Sequence, residues 1–374
     1  MAQALVIVGG GPVGMALALA LHKQGIAAEI HDLRERGAAA GDKRILALSH
    51  GSRQILESLG VWGEIKATPI LNIHVSQRGA GGRTKISASE EKVEALGYVA
   101  SSSSIASALD KALAVAAIPF IGGSRLLDAE PSAESVALRL SDGSIEAQLV
   151  AYAEGRIGDE AQVVERDYAQ HALICRLTPA AHHQGMAWER FTAHGPFALL
   201  PFENGYAAVY TCTPAEAERL KALPDTELLA HLQSEFGQRV QFTAVQERVI
   251  FPLGLRYREQ PTAERQVWLG NAAQTLHPVA GQGFNLALRD CMALAHCLTG
   301  VADPGAPEVL VRYAADRKLD RSGTIGITDS LIRVFSNDNF LLKHARGAGL
   351  IALDLVPPLR SFLARRMMFG ARAW

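Results

Sequence analysis

Cysteine is scarce here: four residues in 374, Cys175, Cys212, Cys291 and Cys297, with no C-x-x-C pair and no metal-ligand spacing. That excludes a disulfide framework or zinc ribbon and predicts four reduced, mostly buried thiols. The twelve histidines include His182-His183 but no H-E-x-x-H, so no metal site is expected. An excess of either charge is missing too. Lys plus Arg number 37 against 38 for Asp plus Glu, which leaves no basic field to hold nucleic acid. No run reaches the roughly 18–20 apolar residues of a membrane span. The opening residues 1–8 lack the basic region and cleavage site of a signal peptide and read as a first strand, so the expectation is a cytoplasmic protein.

What is present is length and a normal globular balance: 374 residues, 48% hydrophobic and 20% charged, enough for two domains. Residues 5–8 are a continuous β-branched and aliphatic run, as a strand buried on both faces requires. Residues 12–24 are helical in pattern and 28–32 form a second short strand. Residues 51–66 read as helix, with Ile55, Leu56, Leu59 and Ile65 near a 3.6 period. Residues 70–90 read as strands around a glycine-rich turn, 105–116 as helix, and 136–140 with 145–149 as a hairpin around Asp142-Gly143. From 168 to 260 strands dominate, with one helix near 224–236. A short strand at 267–269, a helix from about 285 to 298 and a helical stretch from 305 to 374, broken at Pro357-Pro358, complete the chain. This order predicts a discontinuous cofactor domain interrupted by a sheet domain.

Gly9-Gly10-Gly11-Pro12-Val13-Gly14 satisfies G-x-G-x-x-G at Gly9, Gly11 and Gly14. The first glycine makes the tight turn, the second lets a pyrophosphate approach the backbone, and the third packs helix on strand. A phosphate then sits at the helix N-terminus, where free N–H groups and the dipole favour an anion. Asp32 closes the second strand at the spacing expected for a ribose acceptor, and its charge argues against a 2′-phosphate. FAD and NAD both fit this cradle. Two features favour FAD: Lys43-Arg44 can reach a pyrophosphate as a charge-assisted donor, and a second cradle lies near residue 281.

Residues 268–290 read Trp-Leu-Gly-Asn-Ala-Ala-Gln-Thr-Leu-His-Pro-Val-Ala-Gly-Gln-Gly-Phe-Asn-Leu-Ala-Leu-Arg-Asp. The block resembles the second flavin motif of the FAD-dependent aromatic-ring hydroxylases: G-D-A-A-H, then H-P, then G-Q-G-x-N-x-x-x-x-D. Gly270-Asn271-Ala272-Ala273-Gln274, His277-Pro278 and Gly281-Gln282-Gly283-Phe284-Asn285 fill those places. Further matches at residues 189–196, 199–201 and 321–335 place the resemblance in the ubiquinone-biosynthesis branch, of 2-polyprenyl-6-methoxyphenol hydroxylase type, over nearly the whole chain.

The resemblance implies an α/β fold. A Rossmann-like, para-hydroxybenzoate hydroxylase-like FAD-binding domain (1–69, 95–160 and 262–345) carries an inserted β-sheet substrate domain (70–94 and 161–261) and a C-terminal helical segment (346–374). It implies hydroxylation of the phenol ring of a polyprenylated precursor with FAD, NAD(P)H as co-substrate and O2, through a flavin C4a-hydroperoxide. The flavin carries the hard chemistry and the protein supplies orientation and a dry pocket. Backbone N–H groups of residues 281–285 are expected at the N1/O2 edge of the isoalloxazine. Asn271, where the family usually has Asp, keeps an acceptor for a ribityl hydroxyl and adds a donor. His277 and Pro278 fall near flavin and substrate, His277 either as a hydrogen-bonded loop residue or as an acid–base group. Phe191, Phe197, Phe202, Tyr206 and Tyr210 are expected mostly in the core of the substrate sheet.

The sequence departs from the family in two places. Glu154-Gly155 stands where A-D-G is usual, and Ser101-Ser102-Ser103-Ser104 where larger residues are common. These departures motivate an alternative, a catalytically weakened FAD-binding accessory protein. After residue 355 there is no acidic side chain, while Arg360, Arg365, Arg366 and Arg372 are basic and Leu359, Phe362, Leu363 and Met367 share a helical face. Such a helix either lies on the inner face of a membrane, as a peripheral contact suited to a lipophilic substrate, or packs on the body of the protein.

Overall fold

A computed structural model describes residues 3–79, 81–158, 163–277, 281–335 and 340–372, built around three sheets. The first is largely parallel, in the order β17-β18-β11-β1-β2-β8. Its members are β1 (Gln3–Val8), β2 (Glu29–His31), β8 (Phe120–Ile121), β11 (Gly143–Tyr152), β17 (Thr262–Ala263) and β18 (Gln266–Trp268), with β9 (Leu126–Pro131) and β10 (Val136–Leu140) attached through β11. Leu5, Val6 and Ile7 are wholly buried, as a central parallel strand covered on both faces must be. Helices α1 (Pro12–Lys23), α4 (Ser102–Val115) and α7 (Gln282–Leu298) pack together on it, and Ala16, Ala18 and Ala20 keep the α1 contacts close.

A small antiparallel sheet of β3 (Ile45–Ser49), β7 (Gly97–Ser101) and β4 (Ala67–Ile70) bridges to the third sheet, ordered β19-β16-β12-β15-β14-β13-β5-β6. Its members are β5 (Asn72–Gln77), β6 (Arg83–Ser87), β12 (Val163–Pro179), β13 (Met186–Thr192), β14 (Gly195–Phe202), β15 (Gly205–Cys212), β16 (Phe242–Arg258) and β19 (Gln274–Thr275). One face is closed by α5 (Pro214–Ala222) and α6 (Asp225–Phe236) over Leu173, Cys175, Phe197, Leu199, Tyr206 and Tyr210. All five expected core aromatics are indeed buried, and so are the four thiols.

Three boundaries differ from the sequence reading. The helix read over 51–66 stops early: α2 is His50–Ser58, because Gly60 turns left-handed (φ 81°) and only one 3-10 turn, Trp62–Glu64, follows. Helix α5 was not expected, although Thr213 accepts the Glu216 N–H and Pro214 opens the first turn, a legible start signal. Helix α7 begins at Gln282 rather than near 285, after Gly281 in the left-handed region (φ 59°).

A short helix α3 (Ala88–Glu91) follows β6, and three helices close the chain: α8 (Pro307–Phe335), α9 (Phe340–Leu355) and α10 (Pro357–Phe369). Helices α7 and α8 meet through a buried ionic network. Arg289 Nε lies 2.6 Å from Asp320 Oδ2, and Arg317 bridges Asp290 and Asp320 at 2.7 Å each. Burial raises the Asp320 carboxyl, but Arg289 and Arg317 outweigh it and hold it at about 2. The Ala371 N–H also donates to Asp320 (2.8 Å), so the end of α10 is latched to the same carboxylate.

Candidate active site

The first cradle is glycine for two different reasons. A Cβ on Gly14 would lie 1.9 Å from the Gly9 carbonyl oxygen, and one on Gly9 (φ 113°) 2.7 Å from the Ala153 backbone, so both are required by packing. At Gly11 nothing beyond its own stretch of chain lies within 4 Å of such a carbon, which leaves room for a ligand. Asp32 Oδ2 accepts the Gly10 N–H at 2.6 Å, and Oδ1 accepts the Arg34 N–H at 2.7 Å. The exposed Arg34 guanidinium covers the remaining lone pairs at 3.2 Å. Burial raises the Asp32 carboxyl, but the hydrogen bonds from Arg34 and Gly10 leave it below its ordinary value. A cavity of about 160 Å³ adjoins it, lined by Gly10, Asp32, Gly37, Ala106 and Phe120. Arg44 is turned onto Asp42 at 2.6–3.0 Å, an exposed pair that a phosphate can compete with.

The second cradle is held from behind. Asn285, only 2% exposed, donates to the Ala47 and Gly281 carbonyls (3.0 and 2.7 Å). Its Oδ1 accepts from the Ser49 N–H and Ser52 hydroxyl (2.8 and 2.7 Å). Its hydrogen bonding is therefore spent inside the protein, and it clamps the β3–α2 corner to the start of α7. Gly281 meets Ala47 so closely that a Cβ would sit 2.8 Å from the alanine methyl, while Gly283 faces open space. Phe284 packs on the main core. Gln282 is buried and reaches the Met367 carbonyl of α10 (3.5 Å). Gly270 is left-handed (φ 57°) against Val13. Asn271 Nδ2 donates to the Gly155 carbonyl at 3.3 Å. An aspartate cannot make that bond, so the Asn in the second cradle and the altered Glu154-Gly155 segment are structurally paired. The serines of 101–104 have local work. Ser101 caps α4, and Ser102 Oγ donates to Asp42 at 2.7 Å.

His277 is 1% exposed at the end of β19, edge-on to Tyr168 at 6.0 Å. Tyr168 donates to Asp329 of α8 (2.7 Å), which also pairs with Arg166. Burial pulls the His277 imidazole down to about 4, so it is neutral at pH 7. Pro278 lies outside the described residues.

The third sheet's second face is not covered by α5 and α6, though α9 touches its β5–β6 end and α8 its β14 strand. Cross-strand register sets Thr84, Val75, Glu189, Ala198, Val209, Ile174 and Val249 side by side across seven strands. Val249 and Phe251 are 45% and 38% exposed, and Val75, Ala198, Val209 and Ile174 are half-buried. This apolar wall was not named from the sequence. Alternation within β12, β14 and β15 shows that two faces exist, but not which one a helix covers.

Two glycine-rich cradles, each opening a helix, together with a sheet whose one face α5 and α6 leave uncovered, fit the site of a flavin-dependent monooxygenase. Comparison with known proteins agrees. The chain matches the FAD binding domain family over residues 1–322 and belongs to it; FAD is its cofactor. It is 32% identical to "Ubiquinone hydroxylase UbiL" of Rhodospirillum rubrum, over 97% of this chain and 89% of that protein. It is 30% identical to "3-demethoxyubiquinol 3-hydroxylase" of Escherichia coli, over 94% of each. Among solved structures it shares the fold of p-nitrophenol 4-monooxygenase PnpA from Pseudomonas putida (TM-score 0.79, 16% identity, 99% of each chain). It shares it also with Klebsiella pneumoniae HpxO complexed with FAD and uric acid (TM-score 0.77, 16% identity, 98% and 97% of the chains).

Proposed function

We propose that the protein hydroxylates the phenol ring of a polyprenylated ubiquinone precursor, using NAD(P)H and O2. The carrying observation is the partly exposed aliphatic face of the third sheet, a surface that suits a lipophilic ring and tail. Gly9, Gly11, Pro12 and Gly14 hold the pyrophosphate, Asp32 the adenosine ribose, and Arg44 swings from Asp42 to the phosphates. Gly270 and Asn271 border the ribityl chain. Backbone N–H groups of Gln282, Gly283 and Phe284, opened by Gly281, meet the pyrimidine edge of the ring system. The bound flavin supplies oxygen activation after reduction by NAD(P)H. The chain's own contribution is orientation and exclusion of water, with neutral His277 closing one end of the wall as a hydrogen-bonding group, not a cation. The bond between Asn271 and Gly155 speaks against the accessory-protein reading, since it ties the altered segment into the second cradle. The test is incorporation of labelled oxygen from O2 into a short-chain prenylated phenol. NAD(P)H oxidation without labelled product would refute the reading.

A peripheral membrane contact completes the proposal. No single helix among the described residues is long and apolar enough to cross a membrane. Helix α10 packs on the body through Ala364 and Met368, yet its bend against α9 (98°) presents Ile351, Leu355, Val356, Leu359 and Phe362, each 45–73% exposed. Exposed Arg365 flanks this apex, while Arg360 is turned onto Glu90 (3.2 Å), so lipid attraction rests on the apolar apex with Arg365 beside it. Co-sedimentation with anionic liposomes should fall on Leu355→Asp plus Phe362→Asp; unchanged partitioning refutes the contact.

A further inference from the structure

Glu189 is the one titratable side chain in the transverse row of the apolar wall, between Val75 on β5 and Ala198 on β14. Its strand neighbours Trp188 and Arg190 point to the other face: Trp188 meets Phe236 of α6 edge-on at 6.0 Å, and Arg190 lies under Gly237. Ala187, two residues back along β13, joins Ile70, Val99 and Phe202 in the cluster against the bridging sheet that carries β3 and Ala47. Glu189 is therefore one pleat, about 7 Å, further out along the same face.

Its Oε1 is buried and makes no hydrogen bond. Gln77 Oε1 and Thr84 Oγ1, also buried and without hydrogen-bond partners, lie on the same face, Thr84 opposite Val75 and Gln77 opposite Phe191. An uncompensated carboxyl on an apolar wall is costly unless something outside the fold hydrogen-bonds to it. Burial pushes its pKa up to about 7, so near neutral pH it can both accept and return a proton.

We propose that Glu189 binds the substrate's ring hydroxyl and acts as its proton acceptor during oxygen transfer, with Gln77 and Thr84 completing the polar subsite. This rests on the reading of the sheet face as the substrate wall. As the ring's electron pair forms the new carbon–oxygen bond to one oxygen derived from O2, the bond between the two oxygens breaks and the second oxygen leaves, ending as water, while the phenolic O–H bond breaks and its proton passes to Glu189. The O–H electrons become the second bond of a ring carbonyl. Loss of the proton on the attacked carbon restores aromaticity, and the carbonyl oxygen regains a proton from Glu189. The carboxyl thus ends as it began, and the two-electron oxidation of the ring is balanced by O2 and NAD(P)H.

The test compares wild type, Glu189→Gln and Val209→Trp in the FAD-loaded enzyme, using a short-chain prenylated phenol. Phenol affinity is read by difference absorbance, and kcat across pH 5.5–9 by product formation. For Glu189→Gln the expected result is a loss of ~10²-fold in kcat, the size of a general-base contribution. The ascending limb near pH 7 should vanish, with FAD absorbance unchanged and thermal stability at pH 7 not reduced. Val209→Trp, which fills the wall, should abolish phenol binding. If Val209→Trp blocks binding while Glu189→Gln keeps both kcat and its pH limb, the assignment of Glu189 is overturned and the wall stands. If Val209→Trp binds phenol normally, the wall reading itself fails.

Discussion

Replacing Gly14 with alanine adds one carbon 1.9 Å from the Gly9 carbonyl oxygen. A relaxed non-bonded contact needs more than ~3 Å, so the β1–α1 turn must open by over ~1 Å. The turn cannot yield toward the sheet, because Gly9 already sits against the Ala153 backbone. Overpacking of this kind costs ~1–3 kcal/mol of stability. The larger effect falls on the ligand, since the same displacement turns the first N–H groups of α1 away from the pyrophosphate. Each hydrogen bond to a charged group is worth ~1.5–3 kcal/mol. Losing two weakens FAD binding by ~10²–10⁴-fold, at about 1.4 kcal/mol per tenfold. Titration of apo-protein by flavin fluorescence quenching measures this, with urea unfolding as the stability control. A Gly14→Ala protein that binds FAD within threefold of wild type would refute both the cradle assignment and the steric reasoning.

Two further outcomes follow from buried charge. Asp320→Ala leaves Arg289 and Arg317 buried around an absent carboxylate and frees the Ala371 N–H, so stability should fall by ~3–5 kcal/mol in urea unfolding. A loss under 1 kcal/mol would show that the network is not a structural latch. Acid should also weaken the fold through His277 and His74, both held down to about 4, His277 by burial and His74 by burial and then by Arg239. Both imidazoles are neutral in the fold, so the unfolded chain takes up protons first as pH drops below its own value near 6.5. Their contribution is complete above that pH and is lost toward pH 4. Glu189, raised to about 7, works in the opposite sense and gains stability as pH falls from 7 toward 4.5. His183 and His231, also lowered by burial, act in the same sense as His277 and His74, so stability should fall with acid between pH 6.5 and 4.5, and Glu189→Gln should steepen that fall. Equal slopes in urea-unfolding series of wild type and Glu189→Gln contradict this balance.

By itself the sequence determined the opening βαβ unit, both glycine-rich strand-to-helix turns and the family. These depend on local chemistry: a turn that admits only glycine, a helix N-terminus that opens on it, and an acidic residue at the end of the next strand. It also placed the buried aromatics and thiols, because side-chain type alone sorts them inward. What it left open are relations between distant segments. Whether α10 is core or surface depended on Ala364 and Met368 meeting Ala88 and Leu96, which leaves the apex of the bend uncovered. That Asn285 serves as a clamp required Ala47 and Ser49, more than 230 positions away, to reach it. The significance of Glu189 appears only when the neighbouring strands set five aliphatic side chains and Thr84 in one row with it. Alternation along one strand assigns a side chain to a face, but only tertiary packing decides which face α5 and α6 close.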